Sequence, residues 1–163
     1  MSKKVFLMLG SNLGDRDSWL KKAVLELEKT IGTLIKKSSY YETDAWGYID
    51  QQYLNQAVIF ETTFSAEEVL KKISEIENLL GRKRTSKGYQ ARTIDIDIIF
   101  YANEIISDEP QLIVPHRLMQ ERKFVLVPLT EIAPDFIHPV FKKTIRQLLD
   151  ECKDLGQVEK VLS

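Results

Sequence analysis

Residues 81–100 read GRKRTSKGYQARTIDIDIIF, and the organisation of the whole chain can be worked out from this stretch. Its first half is basic: between Asn78 and Ile94 there is no aspartate or glutamate, but there are five cationic residues, Arg82, Lys83, Arg84, Lys87 and Arg92. Its second half alternates aspartate with isoleucine, the two-residue period of a β-strand. The stretch therefore predicts a basic loop that leads directly into a strand with paired carboxylates.

Asp95 and Asp97 are expected on one face of this strand, because side chains two residues apart share a face. Their Cα atoms should lie about 6.5 to 7 Å apart, which lets both carboxylates hold one metal ion or two neighbouring ions. Mg²⁺ suits such a pair, since it combines one or two carboxylates with phosphate oxygens and water. A solvated strand face would also explain Asp-x-Asp, and a run of like charge is usually a solvated loop. The adjacency of the two features favours a site for a metal-bound polyphosphate.

The composition is that of an ordinary soluble globular protein. The chain has 163 residues, of which 44% are hydrophobic and 29% charged, and its net charge is −1. We expect one domain over residues 1–163, because this length is enough for a sizeable core. We also expect a monomer, which does not follow from the length. The lack of basic excess argues against a nucleic-acid partner, and the single Cys152 excludes an intramolecular disulfide and a cysteine-rich zinc site. No run approaches the roughly 18 apolar residues of a membrane span and no signal peptide is evident, so we expect a cytoplasmic protein without a membrane partner.

Hydrophobic periodicity predicts the order β-α-β-β-α-β. The strands are expected at residues 4–9, 34–43, 53–64 and 94–100. One helix should end at Gly32, and a second should begin at the capping box of Ser65 and Glu68 and end at Gly81. This order fits a ferredoxin-like α+β sandwich with an antiparallel sheet, in which we expect the first and last strands to lie centrally and side by side. Gly10, at the end of the first strand, would then neighbour the aspartate strand.

The C-terminal part of the chain predicts further elements. A turn at residues 102–104 is expected to close a hairpin between the aspartate strand and residues 105–106. Residues 125–133 have a helical pattern that contains Pro128, so we expect the first turn to begin at that proline. Residues 144–152 predict a last amphipathic helix.

Other polar residues are weaker candidates for a binding site. Residues 44–52 are long for a hairpin connection and suggest a binding loop. Asn55 is able to read a heterocycle's edge or to bond nearby backbone. Glu77 borders an apolar helix stripe, where a solvated flank is expected, and His116 is either a phosphate donor or an ordinary surface or capping group.

Six segments together resemble one family, 6-hydroxymethyl-dihydropterin pyrophosphokinase, an enzyme of folate biosynthesis. They match that family in order and spacing, and are residues 10–16 (GSNLGDR), 53–57 (YLNQA), 76–77 (IE), 81–84 (GRKR), 92–98 (RTIDIDI) and 114–116 (VPH). The resemblance covers nearly the whole chain to about Leu149.

The resemblance implies transfer of pyrophosphate from ATP to the hydroxymethyl group of 6-hydroxymethyl-7,8-dihydropterin, with release of AMP. It implies that Asp95 and Asp97 hold two Mg²⁺ ions and act in catalysis together with Arg82 and Arg92. The implied nucleotide contacts are Glu77, Arg82, Arg84, Arg92, Ile98, His116 and Arg122. The implied pterin contacts are Thr43 and Asn55 at the ring edge, and Tyr53 and Phe124 on the two ring faces.

Two segments depart from the family pattern. Residues 90–91 are Gln-Ala where Gly-Pro or similar small residues are usual, and Tyr89 stands where Trp is common. Residues 43–45 are Thr-Asp-Ala where some relatives carry a Thr-Pro-Pro-like segment. Both departures bear on loops 44–52 and 83–91, which we expect to close over the substrates and exclude water.

Two other functions would use similar features. A ferredoxin-like sandwich can bind RNA or a small effector, but RNA binding calls for aromatic residues and a basic sheet face, where this chain has Asp95 and Asp97. Nucleotidyl transfer or cyclisation also uses paired aspartates with two metal ions, and it would release pyrophosphate instead of AMP. No residue stands out as a general base, so catalysis is expected to come from in-line placement and charge neutralisation.

Overall fold

The computed structural model describes residues 1–43, 52–81, 83–84, 90–91 and 93–161, with side chains omitted at 83–84 and 90–91. The described strands are β1 (Lys3–Ser11), β2 (Thr33–Lys37), β3 (Tyr41–Thr43), β4 (Tyr53–Thr62), β5 (Lys83–Arg84), β6 (Gln90–Ala91), β7 (Asp95–Tyr101), β8 (Ile106–Asp108), β9 (Leu112–Val114) and β10 (Val158–Lys160). The helices are α1 (Arg16–Thr30), α2 (Ala66–Leu79), α3 (Lys123–Ile132) and α4 (Ile145–Glu151), and a 3₁₀ turn spans Met119–Glu121. None of the helices in these ranges is long and apolar enough to cross a membrane.

Six strands form one antiparallel sheet in the order β10-β3-β4-β1-β7, with β2 also paired to β4. The predicted neighbourhood is confirmed, since Gly10 of β1 lies opposite Asp95 of β7 in the register. The predicted central position of the last strand is wrong, because β7 ends the row of described strands and only β1 flanks it. One side of the aspartate strand is therefore left for contacts outside the sheet.

The sheet has an apolar core on each face. Val5, Leu7 and Leu9 of β1 pack on the face covered by α1 and α2, where Leu27 and Ile73 are fully buried. Phe6 and Met8, on the opposite face, pack against α3 and α4. By the two-residue alternation, Asp95 and Asp97 share this second face, whereas Ile96 and Ile98 lie in the first core. The carboxylate pair is thus on the same side of the sheet as the C-terminal helices.

The helix starts follow the local sequence, with one exception. Ser65 and Glu68 form the predicted capping box of α2, and Thr144 and Gln147 form a second one at α4. The expected start of a helix at Pro128 is wrong, because α3 begins at Lys123 and contains that proline. The N-cap residue of α3, Arg122, makes no side-chain capping hydrogen bond. The first amide of this helix bonds to a residue elsewhere in the chain.

Two strand predictions need correction. The expected strand at 34–43 is two strands, β2 and β3. Between them, at Ser38, a side chain replaces a backbone group in the hydrogen bonding to β4, because Ser38 Oγ accepts a hydrogen bond from Ala57 N at 2.9 Å. The expected hairpin after the aspartate strand is also wrong. Residues of β8 pair with β9 instead of β7, since a local partner only a few residues away costs little loop entropy.

Candidate active site

Buried polar groups hold the aspartate strand, β7, both just before its first residue and at the amide between the two aspartates. Ser11 Oγ donates to Thr93 O at 2.6 Å, and Thr93 Oγ1 donates to Leu80 O at 2.7 Å, which fixes the chain just before β7. Ile96 N, between the two aspartates, donates to Glu77 Oε2 at 3.0 Å. An edge-strand amide buried without a partner would cost free energy, and the carboxylate of α2 supplies that partner. The backbone that carries the two aspartates is therefore rigidly placed.

Asp95 and Asp97 line one cavity of about 900 Å³ on the second face of the sheet. Asp95 is half-buried and Asp97 is exposed. Within the described ranges, no three His, Cys, Asp or Glu side chains are grouped closely enough to hold a metal ion. Two carboxylates with open space beside them fit a hard cation that takes its other ligands from phosphate and water.

The residues predicted to bind a pterin line the same cavity. Thr43 of β3 and Tyr53 of β4 are opposite each other in the sheet, and Asn55 is two residues further along β4. Asn55 is 3% exposed, and its Nδ2 donates to Thr43 Oγ1 at 3.1 Å. Gly10 leaves room for it, because a Cβ there would lie 3.0 Å from Asn55 Oδ1. The amide is thus held in one orientation at the cavity wall.

The start of α3 supplies the other wall. Arg122 and Phe124 both line the cavity, and the guanidinium of Arg122 lies 5.7 Å from the ring centroid of Phe124. His116 lies near this wall, with its backbone N donating to Ile99 O at 3.0 Å. Burial lowers the pKa of His116 and Arg122 lowers it further, while the carboxylate of Asp97 opposes both. His116 therefore interacts electrostatically with both Asp97 and Arg122.

The fold does not bring two of the predicted nucleotide residues to the cavity wall. Glu77 was expected as a solvated flank, and this is wrong, because the side chain is 8% exposed and bonds Ile96. Ile98 packs its side chain in the first core. Contact of either residue with a nucleotide stays a prediction.

Several predictions fall outside the described residues. Arg82 and Arg92 are among these, as are Tyr89 and residues 44–51, and the side chain of Arg84 is not described. The expected closure of loops 44–52 and 83–91 is therefore a prediction that the structure does not address.

The sequence patterns missed one part of the site. Residues 154–158, here named the C-terminal segment, all line the cavity, together with Met8 and Glu121. The segment has no hydrophobic period and no recognisable motif. It is brought to the site by partners distant in sequence: β10 pairs with β3, and Lys123 N at the start of α3 donates to Asp154 Oδ2.

Over residues 6–134, the chain matches the profile of the family described as 7,8-dihydro-6-hydroxymethylpterin-pyrophosphokinase (HPPK). A 2-amino-4-hydroxy-6-hydroxymethyldihydropteridine pyrophosphokinase from Bacillus subtilis is 47% identical over 134 residues, which cover 81% of this chain and 79% of the relative. The protein of the same name from Aquifex aeolicus is 40% identical over 148 residues, covering 90% of this chain and 91% of the relative.

A crystal structure of wild-type HPPK-DHPS from Plasmodium falciparum with pteroate is similar in fold, with a TM-score of 0.73 at 18% identity. The match covers 93% of this chain and 42% of that longer chain, so this chain spans less than half of that protein. At such low identity the likeness shows the fold, and it confirms the ferredoxin-like α+β class. The sequence matches go further: the chain belongs to the 6-hydroxymethyl-dihydropterin pyrophosphokinase family.

Proposed function

We propose that the chain transfers pyrophosphate from ATP to the hydroxymethyl oxygen of 6-hydroxymethyl-7,8-dihydropterin and releases AMP. Membership of the family makes it a pyrophosphokinase that acts on hydroxymethyldihydropterin in folate biosynthesis, as the sequence predicted. ATP as the donor, the need for Mg²⁺ and the roles of single residues are the further content of the proposal.

One observation carries the assignment of roles. A single cavity is lined by two carboxylates, Asp95 and Asp97, and also by the amide of Asn55 and two aromatic residues, Tyr53 and Phe124. The first set suits a metal-bound polyphosphate and the second a flat polar heterocycle. Their presence in one cavity is what a transfer from the polyphosphate to the heterocycle requires.

The pterin is recognised by its edge and its two faces. Asn55 presents both a donor and an acceptor, and its hydrogen bond to Thr43 fixes the orientation of the amide. Tyr53 and Phe124 provide the apolar surfaces between which the ring lies. A buried amide discriminates strongly between heterocycles, because a ring without the matching edge would leave the amide without a hydrogen-bond partner.

Asp95 and Asp97 are the residues that would hold two Mg²⁺ ions. Their oxygen donors, their shared face and the space beside them fit that metal. When bound, Mg²⁺ neutralises charge on the phosphate oxygens and orients the polyphosphate. Glu77 and Ser11 contribute indirectly, because they fix the strand from which both carboxylates project.

The cationic residues complete the phosphate site. Arg122 lines the cavity together with the aspartates, and His116 interacts electrostatically with Asp97, so both are assigned as donors to phosphate oxygens. Arg82, Arg84 and Arg92 are assigned the same role from their family resemblance. The hydroxyl oxygen forms a bond to the β-phosphorus, and the bond between that phosphorus and the oxygen that bridges it to the α-phosphorus breaks. AMP leaves with that oxygen, and the hydroxyl proton passes to solvent. Because this transfer needs little covalent help, placement and charge neutralisation by these residues supply most of the catalysis.

The direct test is incubation with ATP, Mg²⁺ and 6-hydroxymethyl-7,8-dihydropterin, followed by separation of the products. The proposal predicts AMP and the pterin diphosphate in equal amounts. Release of inorganic pyrophosphate instead would indicate nucleotidyl transfer or cyclisation, and a chain that consumed no ATP would refute the proposal. A monomeric state is also proposed. A cytoplasmic location is proposed because the sequence has no apolar run of membrane-spanning length.

A further inference from the structure

The C-terminal segment lies beyond the residues that the family profile matches, which end at residue 134. Every one of its residues, from Asp154 to Val158, nevertheless lines the cavity. A segment that merely covered the surface would not need to be tied to the walls of a binding site. The contacts at its two ends show that this one is tied to both of the walls assigned to the pterin.

The first end is fixed by Asp154. Its Oδ2 accepts a hydrogen bond from Lys123 N at 3.1 Å, and its Oδ1 accepts one from Gly156 N at 2.8 Å. Lys123 is the first residue of α3, and the N-cap residue Arg122 makes no side-chain cap of its own. A carboxylate 31 positions away therefore takes the place of the missing cap, at the helix end where negative charge is favoured.

The second end is fixed by β10. Val158 pairs with Thr43 in the antiparallel register, and Val161 N donates to Tyr40 O at 2.8 Å. Thr43 is also the residue that receives the hydrogen bond of Asn55. The segment thus runs from the residue before Phe124 to the residue that orients Asn55.

We propose that the C-terminal segment forms the outer wall of the pterin side of the cavity, and that Asp154 is the positioning residue that holds this wall and Phe124 at a fixed separation. The proposal rests on the pterin role assigned above. It adds a residue, Asp154, that acts through the backbone of α3 and of the C-terminal segment. It also assigns part of the wall that determines pterin specificity to residues that the family profile does not match.

The test is Asp154→Asn in the full chain. The substitution keeps the size of the side chain but leaves one acceptor oxygen for two amides, so one of the two hydrogen bonds is lost and an NH₂ group faces a donor. Asp150→Asn is the matched control, since Asp150 is exposed near the end of α4 and does not line the cavity. The measurements are the Kd of 6-hydroxymethyl-7,8-dihydropterin, the KM of each substrate, and hydrogen exchange at the Lys123 amide.

We expect Asp154→Asn to raise the pterin Kd and KM about tenfold, the scale of one lost charge-assisted hydrogen bond, and to leave the ATP KM within about twofold. Hydrogen exchange at the Lys123 amide should become faster, while the amides of the other helices should stay protected from exchange. The proposal is overturned if the pterin Kd is unchanged, or if both KM values rise together with a general loss of protection, which is the mark of a merely structural role.

Gly156→Ala keeps the test decisive if the first variant does not fold. It retains the carboxylate, but the new Cβ would lie 3.1 Å from Asp154 Oδ1 and displace it. A selective rise of the pterin Kd is expected again, and an unchanged Kd again refutes the proposal. If the wild-type chain binds and converts the pterin and both variants behave like the wild type, only this inference is refuted. A wild-type chain that does neither would defeat the proposed function.

Discussion

Gly10→Ala should damage pterin binding through a single contact. A Cβ at this position would lie 3.0 Å from Asn55 Oδ1, against 3.8 Å from Tyr53 Cδ1 and 4.0 Å from Leu54 O. Only the first distance is shorter than an ordinary van der Waals contact, so the Asn55 side chain must move by a few tenths of an ångström. Because Asn55 is buried and already bonded to Thr43, that movement misaligns the group assigned to read the pterin.

The size of the effect follows from the interaction that is lost. Loss of one aligned hydrogen bond costs about 0.5 to 1.5 kcal/mol, which corresponds to about a twofold to twelvefold rise of the pterin Kd, at roughly 1.4 kcal/mol per factor of ten. Folding stability should change little. Alanine in a strand gains about 0.5 to 1 kcal/mol over glycine through the unfolded chain, and the tight contact offsets this gain.

The assay is calorimetric titration of the pterin and of ATP into wild type, Gly10→Ala, Asn55→Ala and the double variant. If glycine acts through Asn55, Gly10→Ala should have no further effect once Asn55 is alanine. ATP affinity should be the same in all four chains. A wild-type pterin affinity in Gly10→Ala, or an undiminished loss in the Asn55→Ala background, would refute the reasoning.

Three further changes test other parts of the account. Asp97→Asn should lower kcat more than about a hundredfold, because several kcal/mol of charge stabilisation are lost, with no change of the unfolding midpoint for this exposed residue. Glu131→Gln should lower the free energy of unfolding by about 1 kcal/mol in urea titrations, because the carboxylate accepts hydrogen bonds from Ser39 and Tyr41 that hold β3 to α3. His138→Asn should make stability less dependent on pH below about 6.5. Burial lowers the pKa of His138 from its ordinary 6.5, so the unfolded chain takes up the proton first, and stability that is complete above pH 6.5 is lost as the pH falls below it.

Each of these changes has a control or a contradicting result. Asp108→Asn alters an exposed carboxylate on β8, away from the cavity, and should leave kcat unchanged. Glu151→Gln breaks an exposed ion pair with Lys143 and should have almost no effect on the unfolding free energy. If His138→Asn and wild type lose stability equally between pH 7.5 and 5.5, the buried imidazole does not make the predicted contribution.

Local signals predicted most of the elements and half of the site. Alternation placed Asp95 and Asp97 on one face, and the capping box of Ser65 and Glu68 marked the start of α2, because both depend on residues close in sequence. The adjacency of Gly10 and Asp95 followed from the expected fold.

What could not be predicted depends on partners distant in sequence. Pro128 is a strong local signal for a helix start, but α3 begins five residues earlier, where Asp154 bonds its first amide. Glu77 resembles a solvated flank in the sequence, but the fold places its carboxylate beside the buried amide of Ile96. In both cases a tertiary hydrogen bond outweighs the local preference.

The central claim is that Asp95 and Asp97 bind the polyphosphate through a divalent cation. It is tested most directly by titrating ATP into the wild-type chain and into the Asp95→Asn, Asp97→Asn double variant, each with and without Mg²⁺. The account predicts that Mg²⁺ tightens ATP binding at least about tenfold in the wild type and hardly at all in the double variant. An equal gain in both chains would show that the nucleotide and its metal bind without these two carboxylates.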